Sequence, residues 1–595
     1  MSRRALISGL MPFAGLACLV AWPLVFNSPY DLRVFTLVGI YSILVLGYQF
    51  IFGHAGALAL TQGAFFGIAA YVTGILGAKF GWSFPVTFPL SIVAPVLVAV
   101  VVAIPVLRLE SHYFALATLG IAQVALLIAI KWESVTGGAN GLAGVPGIGA
   151  FGLVLPRGYP TLAFVWGIAG VCALVAWWLM RSLRGRAFQL MRTSELAAMS
   201  IGLDTARLRF LAFLLSAAFA GIAGALHAHT LRVVSPEVLE FHVMVTCLTM
   251  AVIGGRTRVV GAFLGAFLLV QLPEWFRFLE HYYLIAYGGA LLAMIIVAPD
   301  GLVGLLDRIG ARLGLRPRHT LPAPVPLPSA APEDVTAEVP LLSVNGLTKR
   351  FGGVAALEDV SFQVDRGEIV GLIGPNGSGK TTLVNIVTGL TPADAGEVRL
   401  MGQDITHDPA FRIVQRGVAR TFQLIELVDD MTCLENVAVA RLTKLGAGFG
   451  RSRSPTEVDA PFGLAKRQAA HLLERLGMLE AAFEPAGNLA QGLRRRLEIA
   501  RALALEPRLL LLDEPAAGLN EIEQQDLAIR LKGLRTSGLA LVVIEHNVPF
   551  LMAIADRLVC LNAGRVIAVG KPSDVRADPN VVAAYFGAQP ADGLP

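Results

Sequence analysis

Long apolar runs dominate the first three hundred residues of the chain. A helix needs about 20 predominantly apolar residues to cross a bilayer. By that measure, the candidate spans lie near residues 5–26, 33–52, 62–79, 84–107, 112–130, 160–180, 209–230, 241–254, 259–272 and 282–298. The two runs that flank Gly254-Gly255-Arg256 are short for full spans, and they form either a re-entrant pair or two tilted helices. The pattern predicts an α-helical, polytopic membrane domain over residues 1–315 with eight to ten spans.

Pairs of small residues, four positions apart, recur in these spans. They are Ala217/Gly221, Ala220/Gly224 and Gly261/Gly265. Small residues let helix backbones approach closely inside a membrane. We expect these pairs to pack helices within one bundle rather than to form a dedicated dimer contact.

The pattern changes after residue 315. Residues 316–340 are rich in proline, which predicts an extended, semi-rigid linker. From 341 to 595, apolar strands alternate with helical stretches, and 369–373, 508–512 and 539–544 are the clearest buried strands. This order predicts an α/β domain with a largely parallel core sheet.

Composition and charge support a membrane location for the first half. The 595-residue chain is 55% hydrophobic and 15% charged, against about 25% charged residues in a typical soluble protein. Its net charge of +5 comes from a basic excess in the apolar half. That excess indicates membrane orientation and gives no reason to expect nucleic-acid binding. The arginine-rich segments 181–209 and 308–318 are therefore predicted to lie in the cytoplasm.

A phosphate-binding loop follows the first buried strand. Its sequence G-P-N-G-S-G-K-T-T matches the pattern G-x-x-x-x-G-K-[ST]. The glycines let backbone N–H groups face phosphate, and the following helix presents its positive N-terminus. In this pattern Lys380 reaches the β- and γ-phosphates, and Thr381 is a ligand of Mg²⁺. The residues predicted to bind ATP are Gly374, Pro375, Asn376, Gly377, Ser378, Gly379, Lys380, Thr381 and Thr382.

Polar side chains also stand at the ends of the next two buried strands. Asp513 and Glu514 follow the strand 508–512, and His546 follows the strand 539–544. An acid at a strand tip suits contact with a metal-bound water, and the next carboxylate can polarise an attacking water. The order of these residues behind a phosphate loop indicates nucleotide hydrolysis.

This set of motifs resembles the ATP-binding-cassette (ABC) ATPase family over essentially all of 341–590. The resemblance implies that Lys380 and Thr381 belong to the Walker A motif. It further implies that Asp513 helps to bind Mg²⁺ and that Glu514 is the catalytic base.

Three further residues take their expected roles from the same resemblance. Gln423, in the sequence A-R-T-F-Q, looks like the glutamine that contacts Mg²⁺ and senses the membrane domain. His546 looks like the histidine that contacts the γ-phosphate. Phe351 stands where the family stacks an aromatic ring on adenine, although an ordinary core role is an alternative.

The signature segment departs from the family pattern. Leu489, Ala490, Gln491 and Gly492 stand where the family usually reads L-S-G-G-Q, and Leu493 replaces a polar residue. In this family the signature completes the nucleotide site of the opposing ATPase, and Ala490 lacks the hydroxyl that would meet a γ-phosphate. We therefore hypothesise two unequal ATP sites in the assembly. Equal loss of transport from Glu514→Gln and from the equivalent change in a partner ATPase would contradict this.

The basic segment 181–209 contains a candidate coupling helix. Thr193 or Ser194 can cap a short helix, with Glu195 favourable in its first turn. The pattern from Glu195 to Gly202 resembles the coupling loop with which bacterial import permeases dock on their ATPases. A solvated amphipathic loop is the alternative interpretation.

Other stretches narrow the resemblance to importers of branched-chain amino acids. Residues 113–120, 136–142 and 299–302 resemble the permeases of these importers. Residues 489–501, 514–520 and 579–587 resemble their ATPase subunits. The resemblance implies a fused permease and ATPase subunit that imports branched-chain or other hydrophobic amino acids. The alternatives are a urea or short-amide importer, an exporter half-transporter and an ATP-gated channel.

The resemblance also implies partners and a location. Transporters of this family use two permeases and two ATPases, so a second permease subunit and a second ATPase are expected, or else a homodimer. A soluble substrate-binding protein should deliver a small amino acid substrate. The expected location is the bacterial inner membrane, with several passes through the bilayer and the ATPase domain in the cytoplasm.

Overall fold

The structure, a computed structural model, describes residues 22–107, 109, 111–150, 153–298, 301–312, 321–328, 339–444, 455–535 and 538–586. The chain forms two compact units. The first comprises residues 1–192 and 206–318, and the second comprises residues 193–205 and 319–595. The candidate span 5–26 lies almost entirely outside the described residues, as do Pro299, Asp300 and much of the proline-rich linker.

The first unit consists mainly of apolar helices. Its described α-helices are α1 (Pro29–Tyr48), α2 (Gln62–Gly74), α3 (Phe84–Val106), α4 (Ser111–Lys131), α5 (Glu133–Thr136), α6 (Tyr159–Arg181), α7 (Leu183–Thr193), α9 (Thr205–Leu231), α10 (Phe241–Gly254), α11 (Val259–Trp275), α12 (Tyr283–Val297) and α13 (Gly301–Arg312). Two of them continue as π-helices, Gln49–His54 after α1 and Ile75–Lys79 after α2. The two-residue strands β1 (Leu142–Ala143), β2 (Gly149–Ala150), β3 (Leu153–Val154) and β4 (Val233–Val234) lie between helices.

Each candidate span from residue 33 onward coincides with an apolar helix. Five of the described helices are long and apolar enough to cross a membrane: 29–54, 84–106, 112–131, 159–181 and 205–231. The helices 241–254, 259–275 and 288–297 are apolar but shorter. The number of spans stays a prediction.

Exposed apolar side chains on these helices suit a lipid environment. Leu97, Val101 and Ile104 of α3 are each at least 60% exposed and fall on one side of that helix. A large exposed apolar surface is unfavourable in water. In a bilayer, such side chains contact lipid instead.

Small residues bring the helices of the first unit together. A Cβ atom on Gly261 or Gly265 would collide with the backbone of α10 at Gly254 or Met250. A Cβ atom on Gly221 would press against the backbone of α3, and one on Gly224 would collide with the backbone of α2. The small-residue pairs therefore mediate packing inside this unit, as van der Waals association of membrane helices requires.

The second unit combines two sheets with surrounding helices. Its described helices are α8 (Glu195–Ser200), α14 (Lys380–Val387), α15 (Ala410–Gln415), α16 (Cys433–Lys444), α17 (Pro455–Arg475), α18 (Gln491–Leu503), α19 (Glu521–Arg535), α20 (Val548–Ile554), α21 (Pro572–Ala577) and α22 (Pro579–Phe586). Its strands are β5 (Leu342–Phe351), β6 (Val354–Val364), β7 (Ile369–Ile373), β8 (Ala395–Leu400), β9 (Gln403–Asp404), β10 (Val418–Arg420), β11 (Leu509–Asp513), β12 (Ala540–Ile544), β13 (Arg557–Asn562) and β14 (Arg565–Gly570).

The larger sheet confirms the α/β prediction. Its six strands have the order β10-β11-β12-β7-β13-β14, and each neighbouring pair is parallel except β13 with β14. Every residue of β7, β11 and β12 is buried, as expected for central strands that are covered on both faces. The antiparallel sheet β6-β5-β8-β9 packs against it through one shared apolar core.

The strand order brings distant segments together. Because β12 lies between β11 and β7, Asp513 pairs with Ile544, and Ile544 pairs with Leu372. The carboxyl ends of these parallel strands therefore meet at one edge of the sheet. That edge is where open α/β sheets bind ligands.

Part of the proline-rich segment lies against the second unit. Residues 321–328 form neither helix nor strand. The Val325 N–H donates to the carbonyl of Arg467 at 3.1 Å, and the Arg467 Nε donates to the carbonyl of Ala323 at 3.4 Å. This part of the segment is therefore held by α17.

Candidate active site

The loop between β7 and α14 has the backbone form of a phosphate cradle. Gly374, Gly377 and Gly379 have φ values of 146°, 79° and 101°, in a region that L side chains rarely adopt. A Cβ on Gly379 would also lie 2.5 Å from the carbonyl oxygen of Ala356. Glycine is required here, and the turn leaves the N-terminus of α14 facing the loop.

Lys380 lies folded over this loop. Its Nζ donates to the carbonyl oxygens of Gly374 and Pro375, both at 2.8 Å. Burial lowers the pKa of Lys380, while the nearby carboxylates Glu514 and Asp513 oppose that change. A buried ammonium group beside backbone N–H groups makes this a strong anion site.

A cavity of about 770 Å³ opens over the loop. It is lined by Ala356, Asn376, Gly377, Ser378, Gly379, Lys380, Thr381, Thr382, Gln423, Glu514, Ile544 and His546. The structure thus brings together three side chains that are far apart in the sequence, Gln423, Glu514 and His546. Its volume falls in the range typical of small-molecule sites.

Glu514 is held in an unusual backbone conformation. Its φ is 47°, and its N–H donates to the carbonyl of Ile544 at 2.9 Å. Left-handed backbone at a non-glycine residue costs about 1–3 kcal/mol, and such residues cluster at functional sites. The carboxylate Oε1 accepts from Gln423 Nε2 at 3.2 Å and lies 3.1 Å from His546 Nε2. A carboxylate so placed can accept a proton from water in the cavity.

Asp513 is buried directly behind the cavity. Its Oδ2 lies 3.1 Å from Arg420 Nη2, and both side chains are about 95% inaccessible to solvent. Burial raises the pKa of the Asp513 carboxyl, and the Arg420 guanidinium opposes that rise. The pair fixes the acid where β11 ends.

The donor set suits Mg²⁺ bound together with phosphate. The described residues contain no cluster of three His, Cys, Asp or Glu side chains that would hold a metal alone. Mg²⁺ in nucleotide sites usually takes one or two protein oxygens, substrate phosphates and water. The hydroxyl of Thr381 and the amide of Gln423 line the cavity, and Asp513 adjoins it.

Sequence reasoning missed the buried network that holds Gln423. Arg495 Nη1 and Nη2 donate to the carbonyls of Phe422 and Gln423, at 2.6 and 3.0 Å. Glu498 accepts the Phe422 N–H at 3.0 Å and forms a 2.9 Å ion pair with Arg495. In the sequence, the network is visible only as two opposite charges three residues apart on α18. Such a spacing is typical of an ordinary ion pair on a helix surface. Both side chains are in fact buried.

Two predicted elements lie apart from this cavity. Phe351 ends β5, is 53% exposed and is not among the residues that line the cavity. The segment Leu489–Gly492 also lies outside the cavity lining, with Ala490 as the N-cap of α18 and no side-chain cap. Their roles in nucleotide binding stay predictions.

The candidate coupling helix packs on the ATPase within the second unit. Ser194 caps α8 by accepting the Ala197 N–H at 3.0 Å. Helix α8 lies on α15, and Thr443 Oγ1 donates to the carbonyl of Ile201 at 3.0 Å. Met199 and Ser200 share a small pocket with apolar residues of α15 and with Arg420 and Phe422. The segment and the residue that precedes Gln423 therefore line one pocket.

Family models match both halves of the chain. Residues 31–298 match "Branched-chain amino acid transport system / permease component". Residues 357–517 match "ABC transporter", and residues 565–591 match "Branched-chain amino acid ATP-binding cassette transporter".

Curated relatives point the same way. The chain is 42% identical over 255 residues to the high-affinity branched-chain amino acid transport ATP-binding protein BraF of Pseudomonas aeruginosa, covering 42% of this chain and 98% of that protein. It is 43% identical over 251 residues to the corresponding protein LivG of Escherichia coli K12, covering 42% and 98%. A crystal structure of an ABC cassette in its ADP conformation is 32% identical, with a TM-score of 0.37, and covers 42% of this chain and 99% of that chain.

A permease domain and an ABC cassette in one chain define a membrane transporter subunit that binds and hydrolyses ATP to drive transport. The apolar helices of the first unit make it a multi-pass membrane protein. The chain belongs to the branched-chain amino acid family of ABC transporters.

Proposed function

We propose that this chain is the fused permease and ATPase subunit of an importer for branched-chain amino acids. The observation that carries the proposal is the fusion itself, a permease domain of this transport class joined to a cassette whose relatives bear the same name. The contact between α8 and the ATPase supports it, because ATP hydrolysis must be relayed to the membrane helices.

We assign the ATP site to the cavity over the phosphate loop. The N–H groups of Asn376–Thr382 and the Lys380 ammonium hold the phosphates, Gly374 and Pro375 form the start of the loop, and Phe351 stacks on adenine. Thr381, Gln423 and Asp513 hold Mg²⁺, which neutralises phosphate charge when bound. Glu514 accepts a proton from the attacking water.

The remaining residues place the site in a larger assembly. His546 faces the γ-phosphate from the tip of β12. The segment Leu489–Gly492 completes the nucleotide site of a second ATPase. This assignment is supported by its position outside the cavity lining of its own chain.

The proposed assembly contains a second permease, a second ATPase and a soluble binding protein. Alternatively, two copies of this chain form the core. The arginine-rich segment 181–209 supports a cytoplasmic location for the ATPase. We place the assembly in a bacterial inner membrane, where import draws on cytoplasmic ATP.

Radiolabelled leucine uptake tests the cargo assignment. Bacteria without their own leucine importers would express the chain with its partner subunits, and Lys380→Ala would serve as the inactive control. We expect unlabelled isoleucine or valine to compete and urea to have no effect. Competition by urea would move the assignment to amide import, and uptake that persists in Glu514→Gln would indicate a channel.

Gly202 offers a test of coupling between the ATPase and the permease. Its φ is 83°, and a Cβ there would lie 3.1 Å from Val414 Cγ1 of α15. Gly202→Ala therefore adds backbone strain of about 1–3 kcal/mol and a tight contact at the docking surface. We expect transport per ATP hydrolysed to fall about 3- to 10-fold, measured in proteoliposomes that contain the complete assembly.

A glycine elsewhere in the second unit supplies the matched control. Gly538 has a φ of 79°, and a Cβ there would meet no atom within 4 Å. Gly538→Ala thus adds similar strain without a new contact. If both variants transport equally per ATP, α8 does not carry the coupling.

A further inference from the structure

The C-terminal helix of the second unit reaches the phosphate loop. The N–H of Gly374 donates to Tyr585 Oη at 2.8 Å, although 211 residues separate them. Tyr585 lies in the last turn of α22 and is the one tyrosine of the sequence after residue 287. No role assigned above uses this side chain.

Helix α22 is fixed to the edge of the core sheet. It packs on β14 and on α21, which itself contacts β13 and β14. Val575 of α21 and Val581 of α22 are buried at 2% and 5% exposure. The Val582 N–H donates to the carbonyl of Asp578 at 3.0 Å and so closes the first turn of α22. Tyr585 is therefore presented by an anchored helix rather than by a free tail.

Gly374 links this tyrosine to the phosphate-binding lysine. Its N–H bonds to Tyr585, and its carbonyl accepts from Lys380 Nζ at 2.8 Å. Gly374 has a φ of 146°, which L side chains rarely adopt, and a Cβ there would collide with the carbonyl oxygen of Leu561. The two peptide groups that flank Gly374 are thus oriented by contacts on both sides.

Tyr585 is 36% exposed, and its phenol is neutral at physiological pH because the ordinary pKa of tyrosine is about 10. Burial raises the pKa of the Tyr585 phenol, and the bond from the Gly374 amide opposes that rise only in part. A neutral phenol accepts a hydrogen bond without adding negative charge next to the phosphates. A carboxylate at the same place would repel them.

We propose that Tyr585 is a positioning residue for ATP binding. By holding the amide of Gly374, it sets the start of the phosphate loop and the carbonyl on which Lys380 rests. The C-terminal helix thereby contributes to ATP affinity, in addition to anchoring itself on the sheet. The inference rests on the proposed nucleotide site at Gly374–Thr382.

Steady-state hydrolysis by the full-length chain in lipid nanodiscs tests the proposal. Tyr585→Phe removes the hydroxyl and keeps the ring. Loss of one hydrogen bond to the loop should raise KM for ATP about 3- to 10-fold. We expect kcat to stay within about twofold, since the base and its neighbours are untouched.

Two controls separate the possible results. Val582→Ala alters an exposed side chain of the same helix and should leave KM and the unfolding temperature unchanged. The proposal is overturned if the KM of Tyr585→Phe stays within twofold of the value for the unchanged protein. It is also overturned if Tyr585→Phe and Val582→Ala raise KM equally and lose stability equally. Lys380→Ala reports on the site itself: if it binds ATP normally, the proposed nucleotide site fails. If only Lys380→Ala impairs binding, the role of Tyr585 alone fails.

Discussion

Glu514→Gln should lower kcat for ATP hydrolysis at least about 100-fold, the usual contribution of a general base. The carboxylate Oε1 is the group that lies within 3.2 Å of both Gln423 and His546 at the cavity wall. Glutamine has nearly the same shape but cannot accept the proton of water. ATP binding should persist, because the phosphate loop and Lys380 are unchanged. Phosphate release and equilibrium ATP binding, measured on the full-length chain as the sole ATPase, check both parts.

Glu545 provides the matched control for this change. It stands beside His546, and its Oε1 accepts the Ala516 N–H at 2.6 Å, outside the cavity lining. An amide oxygen can accept the same bond, so Glu545→Gln should retain most of the hydrolysis rate. Retention of more than a tenth of kcat in Glu514→Gln, or an equal loss in both variants, would remove Glu514 from the role of base.

The sequence predicted most of the cavity because its chemistry lies in short motifs. The spacing of glycines 374, 377 and 379 predicts a loop with backbone angles that glycine adopts readily. In the structure, all three glycines have positive φ. Asp513 is the last residue of the buried strand β11 and Glu514 follows it, while His546 comes two residues after the buried strand β12. Parallel strands place such residues at a common edge, and the strand order then makes Glu514 a neighbour of His546.

The supporting contacts were not predictable in the same way. Arg420, Arg495 and Glu498 are charged, and charged residues are exposed to solvent in most proteins. Their burial depends on partners far along the chain, Asp513 for Arg420 and the carbonyls of Phe422 and Gln423 for Arg495. The hydrophobic periodicity of a segment gives no information about pairs that lie so far apart in the sequence.

Helix bounds in the membrane unit were predicted well because length and apolarity define them. The π-helical turns at Gln49–His54 and Ile75–Lys79 have no such signal. In the first of them, Gln49 Nε2 donates to the carbonyls of Gly255 and Arg258, each at 3.0 Å. A polar residue that bonds to a turn 200 residues away is a tertiary feature, so the local sequence does not reveal it.

Arg420→Met should destabilise the ATPase unit by about 3–5 kcal/mol, the cost of breaking one side of a buried ion pair. Arg420 also donates to Asn385 Oδ1 at 2.6 Å and lies over the ring of Phe422. Methionine fills part of the space but leaves the Asp513 carboxylate buried without its cation. The unfolding transition that ATP shifts reports this unit, and its midpoint should fall by several degrees.

The loss should depend on pH in a defined direction. Burial already raises the pKa of Asp513 above its unfolded value, and removal of Arg420 raises it further. A carboxyl with a raised folded pKa favours folding when protonated and opposes folding when ionised. The deficit of Arg420→Met should therefore be complete at neutral pH and shrink as the pH falls through the pKa of Asp513.

Arg416→Met is the comparison that isolates burial. Its guanidinium lies 2.7 Å from Asp408, with 35% of the Arg416 side chain and 15% of the Asp408 side chain exposed. Arg412 also lies 3.8 Å from Asp408 and remains as a cation when Arg416 is replaced. The loss should therefore be smaller than for Arg420→Met, on the order of 1 kcal/mol, and the midpoint should fall much less. A double change, Arg420→Met with Asp513→Asn, should recover part of the stability because no unpaired charge remains. Equal effects of Arg416→Met and Arg420→Met, or no recovery in the double variant, would show that the ion pair does not stabilise this edge of the sheet.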